Sequence, residues 1–332
     1  MKKQRWLIPI VLLTVALMGV ACGNDDSPTV GGDTTDNTSD APSFAAGSTM
    51  AAIQAKGKIV VGSKFDQPGL GQKNPLTNQV EGFDVEIAKL IAVGIFGGDA
   101  SDLGNKIEFI ETPTPVRETV IEQGTVDIVV ATYTINDARK QRIDFAGPYY
   151  LAGQDIMVKK DNTAITGVES LVSGVTVCSV RNSTPAGRIK ERAPEATLIE
   201  YDTYSQCKDD LLNGNVDAVS TDNSILLGFV AANPNDLKIV GKKFSDEPYG
   251  IGLKRGDDAF RTFINDRLEE IYGNGDWKQA FESTLGKLGV PTPATPPAVD
   301  RYTSAGPAPA PTTTAAGATT TTAAPATTTT TG

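Results

Sequence analysis

One nine-residue pattern occurs twice, 90 residues apart: Gly124-Thr125-Val126-Asp127-Ile128-Val129-Val130-Ala131-Thr132 and Gly214-Asn215-Val216-Asp217-Ala218-Val219-Ser220-Thr221-Asp222. Each copy follows a stretch of helical character, 116–123 in one case and 206–213 in the other. Each reads as helix, glycine stop, short buried strand and a polar residue at the strand's carboxyl end. Further strand-like runs at 58–62 and 175–180 alternate with helical ones. In 85–95 the residues Val85, Ala88, Ile91, Ala92 and Ile95 share one stripe, as a helix covering a sheet requires. The alternation predicts an α/β fold with a largely parallel sheet. The repeat predicts two similar lobes with a cleft beyond the strand ends, where open α/β sheets collect ligands. Thr132 and Asp222 hold that position in the two copies.

Composition sets both ends apart. Lys2, Lys3 and Arg5 precede an apolar run over 6–21, short of the ~20 residues a spanning helix needs. The basic start, the apolar middle and the small residues before Cys22 describe an export signal over 1–21. The cysteine at the stop resembles a bacterial lipoprotein signal, in which that cysteine is acylated and becomes the first residue. Gly19 stands where such signals usually carry leucine, and an ordinary signal peptide with an incidental Cys22 is the alternative. Residues 22–49, rich in Asp, Thr, Gly and Ser, read as a flexible tether. From 307 onward only Thr, Ala, Pro and Gly occur, and 291–332 reads as a disordered tail.

Several chemistries are excluded. The 332 residues include no histidine, which removes Ser-His-Asp and Cys-His nucleophiles and the common His-ligated metal sites. Three cysteines are too few for an all-Cys zinc site, so no metal and no cofactor are expected. A net charge of −10 and 6% aromatics argue against a nucleic-acid partner. No Walker A pattern occurs, so any nucleotide chemistry belongs to another chain. With Cys22 assigned to lipid, Cys178 and Cys207 remain as an even pair. A disulfide is expected there in an oxidising compartment, with two buried thiols as the alternative.

Thr132 is followed by Tyr133, Thr134 and, a few residues on, Arg139. Hydroxyls and a planar guanidinium in one loop can hold a carboxylate. Asp222, from the other copy, would face a cation. Together they describe a site for the zwitterionic head group of a free α-amino acid. The bland reading of Arg139 is a surface charge in a cluster with Lys140 and Arg142.

Here the chain resembles a family. Gly82-Phe83-Asp84-Val85-Glu86-Ile87-Ala88, residues 131–139, Asp144-Phe145-Ala146-Gly147-Pro148-Tyr149, Ser183-Thr184-Pro185 and residues 216–222 are similar to the polar amino-acid binding proteins of ABC importers, solute-binding family 3. The motifs run in the family's order over about 57–285. The resemblance implies a two-lobed type II periplasmic-binding-protein fold with two hinge crossings, near 150–157 and 244–250. Lobe 1 would comprise 50–152 with 248–290, and lobe 2 would comprise 153–247. It implies that Arg139 clamps a ligand α-carboxylate, aided by Thr132, Thr134 and Thr184 with Ala131 in the same segment. It also implies that Asp222 takes the α-ammonium.

The stretch Gly62-Ser63-Lys64-Phe65-Asp66-Gln67-Pro68, with Cys178-Ser179-Val180 and residues 201–207, resembles the glutamate-binding lipoproteins of Gram-positive importers. Both cysteines match positions in that subgroup. Glutamate brings two carboxylates and one ammonium, so a further cation is needed beyond Arg139. Lys64 is the first candidate and Arg117 the second, with Arg181 and Tyr204 as weaker ones near the cleft. A charge-assisted hydrogen bond nets ~1.5–3 kcal/mol, enough to separate glutamate from glutamine.

The expected protein is thus a monomeric, lipid-anchored, extracytoplasmic solute-binding protein and not an enzyme. It would capture glutamate, with aspartate, glutamine or asparagine as neighbouring possibilities, and deliver it to an ABC permease driven by its ATPase. Two rivals are a dehydratase of prephenate or arogenate type on the same fold and a lipid-anchored amino-acid sensor. The first would need a carboxylate acid or base beside a ring pocket.

Overall fold

The chain runs twice through strand–helix alternation before returning to where it began. The computed structural model describes residues 41–303. The export signal, the acylation at Cys22, the tether up to residue 40 and the tail from residue 304 lie outside the described residues. Lobe 1 opens with α1 (Thr49–Lys56) and β1 (Ile59–Ser63). A three-stranded excursion follows, with β2 (Asp66–Gln67), β3 (Gly71–Lys73) and β4 (Val80–Glu81). Next come α2 (Phe83–Phe96), β5 (Ile107–Glu111), α3 (Arg117–Glu122), β6 (Ile128–Val129), α4 (Asp137–Lys140) and β7 (Asp144–Ala152).

Lobe 2 contains β8 (Gln154–Lys159), β9 (Thr176–Val180), α5 (Thr184–Arg192), β10 (Thr197–Tyr201), α6 (Tyr204–Asn213), β11 (Ala218–Asp222), α7 (Asn223–Ala232) and β12 (Leu237–Ile239). The chain then returns through β13 (Glu247–Leu253) to α8 (Asp258–Asn274) and α9 (Asp276–Ser283). The sheets have matching orders, β5-β1-β6-β13-β7 and β10-β9-β11-β8-β12.

The repeat has a physical basis in both lobes. Its glycines, Gly124 at φ +69° and Gly214 at φ +79°, take the left-handed conformation that stops the preceding helix. Each following strand lies inside its sheet: β6 between β1 and β13, and β11 between β9 and β8. The expectation of largely parallel sheets is corrected. β1 pairs in parallel with β5 and β6, but β13 pairs antiparallel with β6 and β7. Likewise β8 is antiparallel to β11 and β12. The antiparallel strands are the two that cross between lobes, so each enters its sheet from the opposite direction. The outward crossing is the single residue Gly153 between β7 and β8, and the return precedes β13.

The apolar stripe on α2 is buried as its spacing requires. Val85, Ala88, Ile91, Ala92 and Ile95 are all fully buried. Each larger apolar side chain among them contributes roughly 1.5–3 kcal/mol by leaving water. At the helix start Phe83 meets Tyr149, Tyr150, Trp277 and Phe281 at 5.5–6.0 Å between ring centres. Those rings pack the ends of β7 and α9 together where the crossings leave lobe 1. In lobe 2 the Cys178–Cys207 disulfide joins β9 to α6.

Two terminal expectations are corrected. In the segment read as tether, Phe44 packs edge-on against Phe263 of α8 at 5.4 Å, and Ser48 caps α1. In the segment read as tail, Val299 packs against the main core and Tyr302 bonds to the backbone of Phe145. A composition average over either segment hides the single aromatic that holds it.

Candidate functional site

The carboxyl ends of β6 and β11 meet across the cleft, and each carries an unusual polar residue. Thr132 adopts φ +47°, a strained conformation for a β-branched residue. Asp84, in the first turn of α2, holds it: the Thr132 N–H donates to Asp84 Oδ2 at 2.8 Å. The other oxygen of Asp84 accepts the Tyr149 hydroxyl at 2.8 Å. Burial raises the Asp84 carboxyl to about 7, against the pull of those two bonds. The Thr132 hydroxyl reaches Gln67 Oε1 at 3.1 Å.

Tyr133 is fully buried and serves as a platform for two guanidiniums, with Arg117 4.1 Å and Arg139 4.9 Å from its ring centre. Arg117 donates to the carbonyls of Ala131, at 2.9 Å, and Thr132, at 3.3 Å. Arg139 donates to the Thr134 carbonyl at 2.6 Å and lies 3.4 Å from Glu118 Oε1. Its helix, α4, is a single turn capped by the Asn136 side chain on the Arg139 N–H. Burial, with Arg117 nearby, lowers the Arg139 guanidinium to about 10.

Lobe 2 supplies the opposite wall. Ser183 caps α5, which places Thr184 in the first turn facing the cleft. The Thr184 hydroxyl donates to Glu247 Oε2 at 2.8 Å and to the Thr134 hydroxyl, across the cleft, at 3.4 Å. Asp222 accepts the Tyr249 hydroxyl through Oδ2, while Oδ1 is buried with no partner among the described residues. Burial, reinforced by Glu247, raises Asp222 to about 7. Tyr204 projects from the start of α6, with its hydroxyl among Ser183, Thr221 and Ser179.

Lys64 follows β1 and is 4% exposed. Its ammonium donates to the Thr112 carbonyl at 3.1 Å and the Thr114 hydroxyl at 2.9 Å. Among the described residues no carboxylate lies within ion-pair distance of Lys64 or Arg117. Burial, with Arg117 and Arg139 nearby, pulls the Lys64 ammonium well below its usual value. Asp66, Glu111 and Asp202 line the same cavity as Lys64, but none reaches ion-pair contact with it, so this end of the cleft can still take an anion.

Arg117, Thr132, Thr134, Arg139, Thr184, Tyr204 and Asp222 line one narrow cavity. Lys64 lines an adjoining one, and Thr114 and Tyr204 border both. Ala131 contributes only its carbonyl, through Arg117. Arg181 lines neither cavity; its half-exposed side chain pairs at 2.9 Å with Asp202, which lines the Lys64 cavity. The Glu200 carbonyl also accepts from it at 3.2 Å. Glu118, Asp222 and Glu247 stand among the cations of the cleft. Sequence reasoning missed Thr114, Glu247 and Tyr249. The first had no motif, and the other two lie on the return crossing, far along the chain from the residues they touch.

The model of the bacterial extracellular solute-binding proteins, family 3, matches residues 59–287. The chain belongs to that family. The family 3 match begins at β1 and runs past α9, so it takes in both sheets and both crossings. The chain is 42% identical over 246 residues to the glutamate-binding protein GluB of Corynebacterium glutamicum, covering 72% of this chain and 81% of that one. It is 37% identical over 285 residues to the glutamine-binding protein GlnH of a Bacillus subtilis ABC transporter, covering 86% and 98%. A solved structure of an ancestral arginine-binding protein bound to glutamine superposes with a TM-score of 0.63 at 36% identity, covering 69% of this chain and 98% of that one. These family 3 relatives are named as binding proteins and not as enzymes.

Proposed function

We propose that this protein captures an acidic amino acid, glutamate first, and hands it to an ABC importer. In this reading Arg139, with Thr134 and Thr184, receives the α-carboxylate, and Asp222 Oδ1 receives the α-ammonium. Thr132 adds a hydroxyl to the same wall. Lys64 and Arg117 then meet the side-chain carboxylate. The observation that carries the reading is the buried Lys64 ammonium, bonded among the described residues only to a carbonyl and a hydroxyl. An anionic side chain there would remove the cost of leaving it unpaired, and an amide would not. The glutamate- and glutamine-binding names of the relatives support the same ligand class.

Closure of the two lobes would present the loaded form to a permease whose ATPase is a separate chain. Acylation at Cys22 would keep the protein at the outer face of the cytoplasmic membrane. Labelled fatty acid incorporated by the parent and not by Cys22→Ser would support the anchor; incorporation by both would refute the assignment.

Titration calorimetry with glutamate, glutamine, aspartate and asparagine tests the ligand. Glutamate is expected to bind about tenfold to a few hundredfold more tightly than glutamine. Lys64→Met is expected to lose most of that preference while keeping the fold. A Lys64→Met protein that still prefers glutamate by the parent's margin would remove Lys64 from the site.

A further inference from the structure

Residues 291–303 run back over lobe 1 beyond the family match, and they end against the turn that carries Arg139. The Asp300 N–H donates to the Gly147 carbonyl at 2.7 Å. The Tyr302 hydroxyl accepts the Phe145 N–H at 2.8 Å and donates to Asp144 Oδ1 at 3.3 Å. These bonds lie at the start of β7, the edge strand of its sheet. The Tyr302 ring lies 4.0 Å from Lys140 Nζ and 4.4 Å from the guanidinium carbon of Arg261. Lys140 also reaches Asp300 Oδ2 at 3.4 Å. Arg301 fastens the segment to α8 through Asp266 at 2.6 Å and Glu269 at 2.8 Å.

Lys140 is the last residue of α4, directly after Arg139. A four-residue helix makes too few internal bonds to hold its own geometry. Its position is set by what touches it from outside. We infer that the 291–303 strap, through Tyr302 on Lys140 and on the α4–β7 turn, positions Arg139 and so sets the affinity of the cleft for its solute. Tyr302 is a positioning residue, acting through α4 and not by touching the ligand. The inference rests on the reading of Arg139 as the clamp for the α-carboxylate.

The test compares Tyr302→Ala, Tyr302→Phe and chains ended after residue 290 or 303 with the parent. Calorimetry at room temperature gives the affinities for glutamate and glutamine. Amide exchange without solute reports the protection of Ile143, whose N–H donates to the Arg139 carbonyl at 3.0 Å. Tyr302→Ala and the chain ended after 290 are expected to weaken both ligands by about five- to thirtyfold, leaving their ratio unchanged. The chain ended after 303 is expected to match the parent. Tyr302→Phe keeps the ring against Lys140 and Arg261 and is expected to recover most of the affinity. An affinity in Tyr302→Ala within about threefold of the parent's, beside a lowered melting temperature, would reduce the strap to a stabilising clamp and overturn the inference. If the parent binds no amino acid, the proposed ligand class fails, and Ile143 still decides the strap. Faster exchange in Tyr302→Ala would show that the strap holds the turn, and unchanged exchange would overturn it.

Discussion

The Tyr249 hydroxyl donates to Asp222 Oδ2 at 2.7 Å, tying the return crossing to the end of β11 and leaving Oδ1 buried without a partner among the described residues. This carboxylate is half-satisfied by the protein, as a receptor for an ammonium should be. Its pKa near 7 gives stability and binding opposite pH dependences. The folded chain favours the protonated carboxyl, so the group's contribution to stability is fully present below its unfolded value and is lost as pH rises through about 7. Binding an ammonium needs the ionised form, so affinity falls as pH drops below about 7. Asp222→Asn is expected to raise the melting temperature of the solute-free protein at pH 8 and to leave it near the parent's at pH 4. The same variant should bind every amino acid about tenfold to a hundredfold more weakly at pH 8. Scanning and titration calorimetry at the two pH values check both halves.

Arg139→Lys keeps a charge but removes the planar fork and the stacking on Tyr133. It is expected to weaken all α-amino acids by about tenfold to a hundredfold, because the α-carboxylate is common to them. The glutamate-to-glutamine ratio should stay at the parent's value, in contrast to Lys64→Met. Parallel titrations of the two variants separate the head-group clamp from the side-chain contact.

Gly228, in α7, lies directly against Pro68 of lobe 1. A Cβ built there would lie 2.2 Å from the carbonyl oxygen of Pro68 in lobe 1, far inside contact distance. Gly228→Ala is therefore expected to hold the lobes apart, lowering affinity by about tenfold or more with little change in the melting temperature of the solute-free protein. Solution scattering should show a larger radius of gyration than the parent's at saturating ligand.

The Cys178–Cys207 bridge closes a separation of 29 residues. The chain-entropy model values such a loop at roughly 3–4 kcal/mol. Replacing both cysteines by alanine is expected to lower the melting temperature by about 2–4 °C for each kcal/mol lost. Reducing agent should shift the parent in the same direction and leave the double variant unmoved, as a thermal scan with and without dithiothreitol would show.

What could be read from the sequence was local. The helix–glycine–strand repeat announces its own left-handed stop and buried strand, so Thr132 and Asp222 were legible as a facing pair. Lys64 drew notice through the resemblance and charge counting, and its burial beside the cleft is what the fold adds. What remained hidden depends on contacts distant along the chain. Glu247 has no local mark, yet it receives both Thr184 and Arg188 from α5. The direction of β13 follows from its arrival from the other lobe and not from its residues. Arg181 resembled a cleft cation because it follows β9, and only the fold shows that Asp202 and the Glu200 carbonyl engage it. Tyr302 was lost in a composition average, although Asp300-Arg301-Tyr302 is the last charged and aromatic cluster before the Thr/Ala/Pro run.

Strand β13 lies between β6 and β7, so lobe 1 takes an interior strand from residues made after all of lobe 2. Lobe 2 draws its five strands from one unbroken stretch of chain. During synthesis the second half can complete its sheet while the first still has a gap at its centre. The lobe that begins the protein is the last to close, and a nascent chain stopped before residue 247 would carry one finished jaw beside an open one.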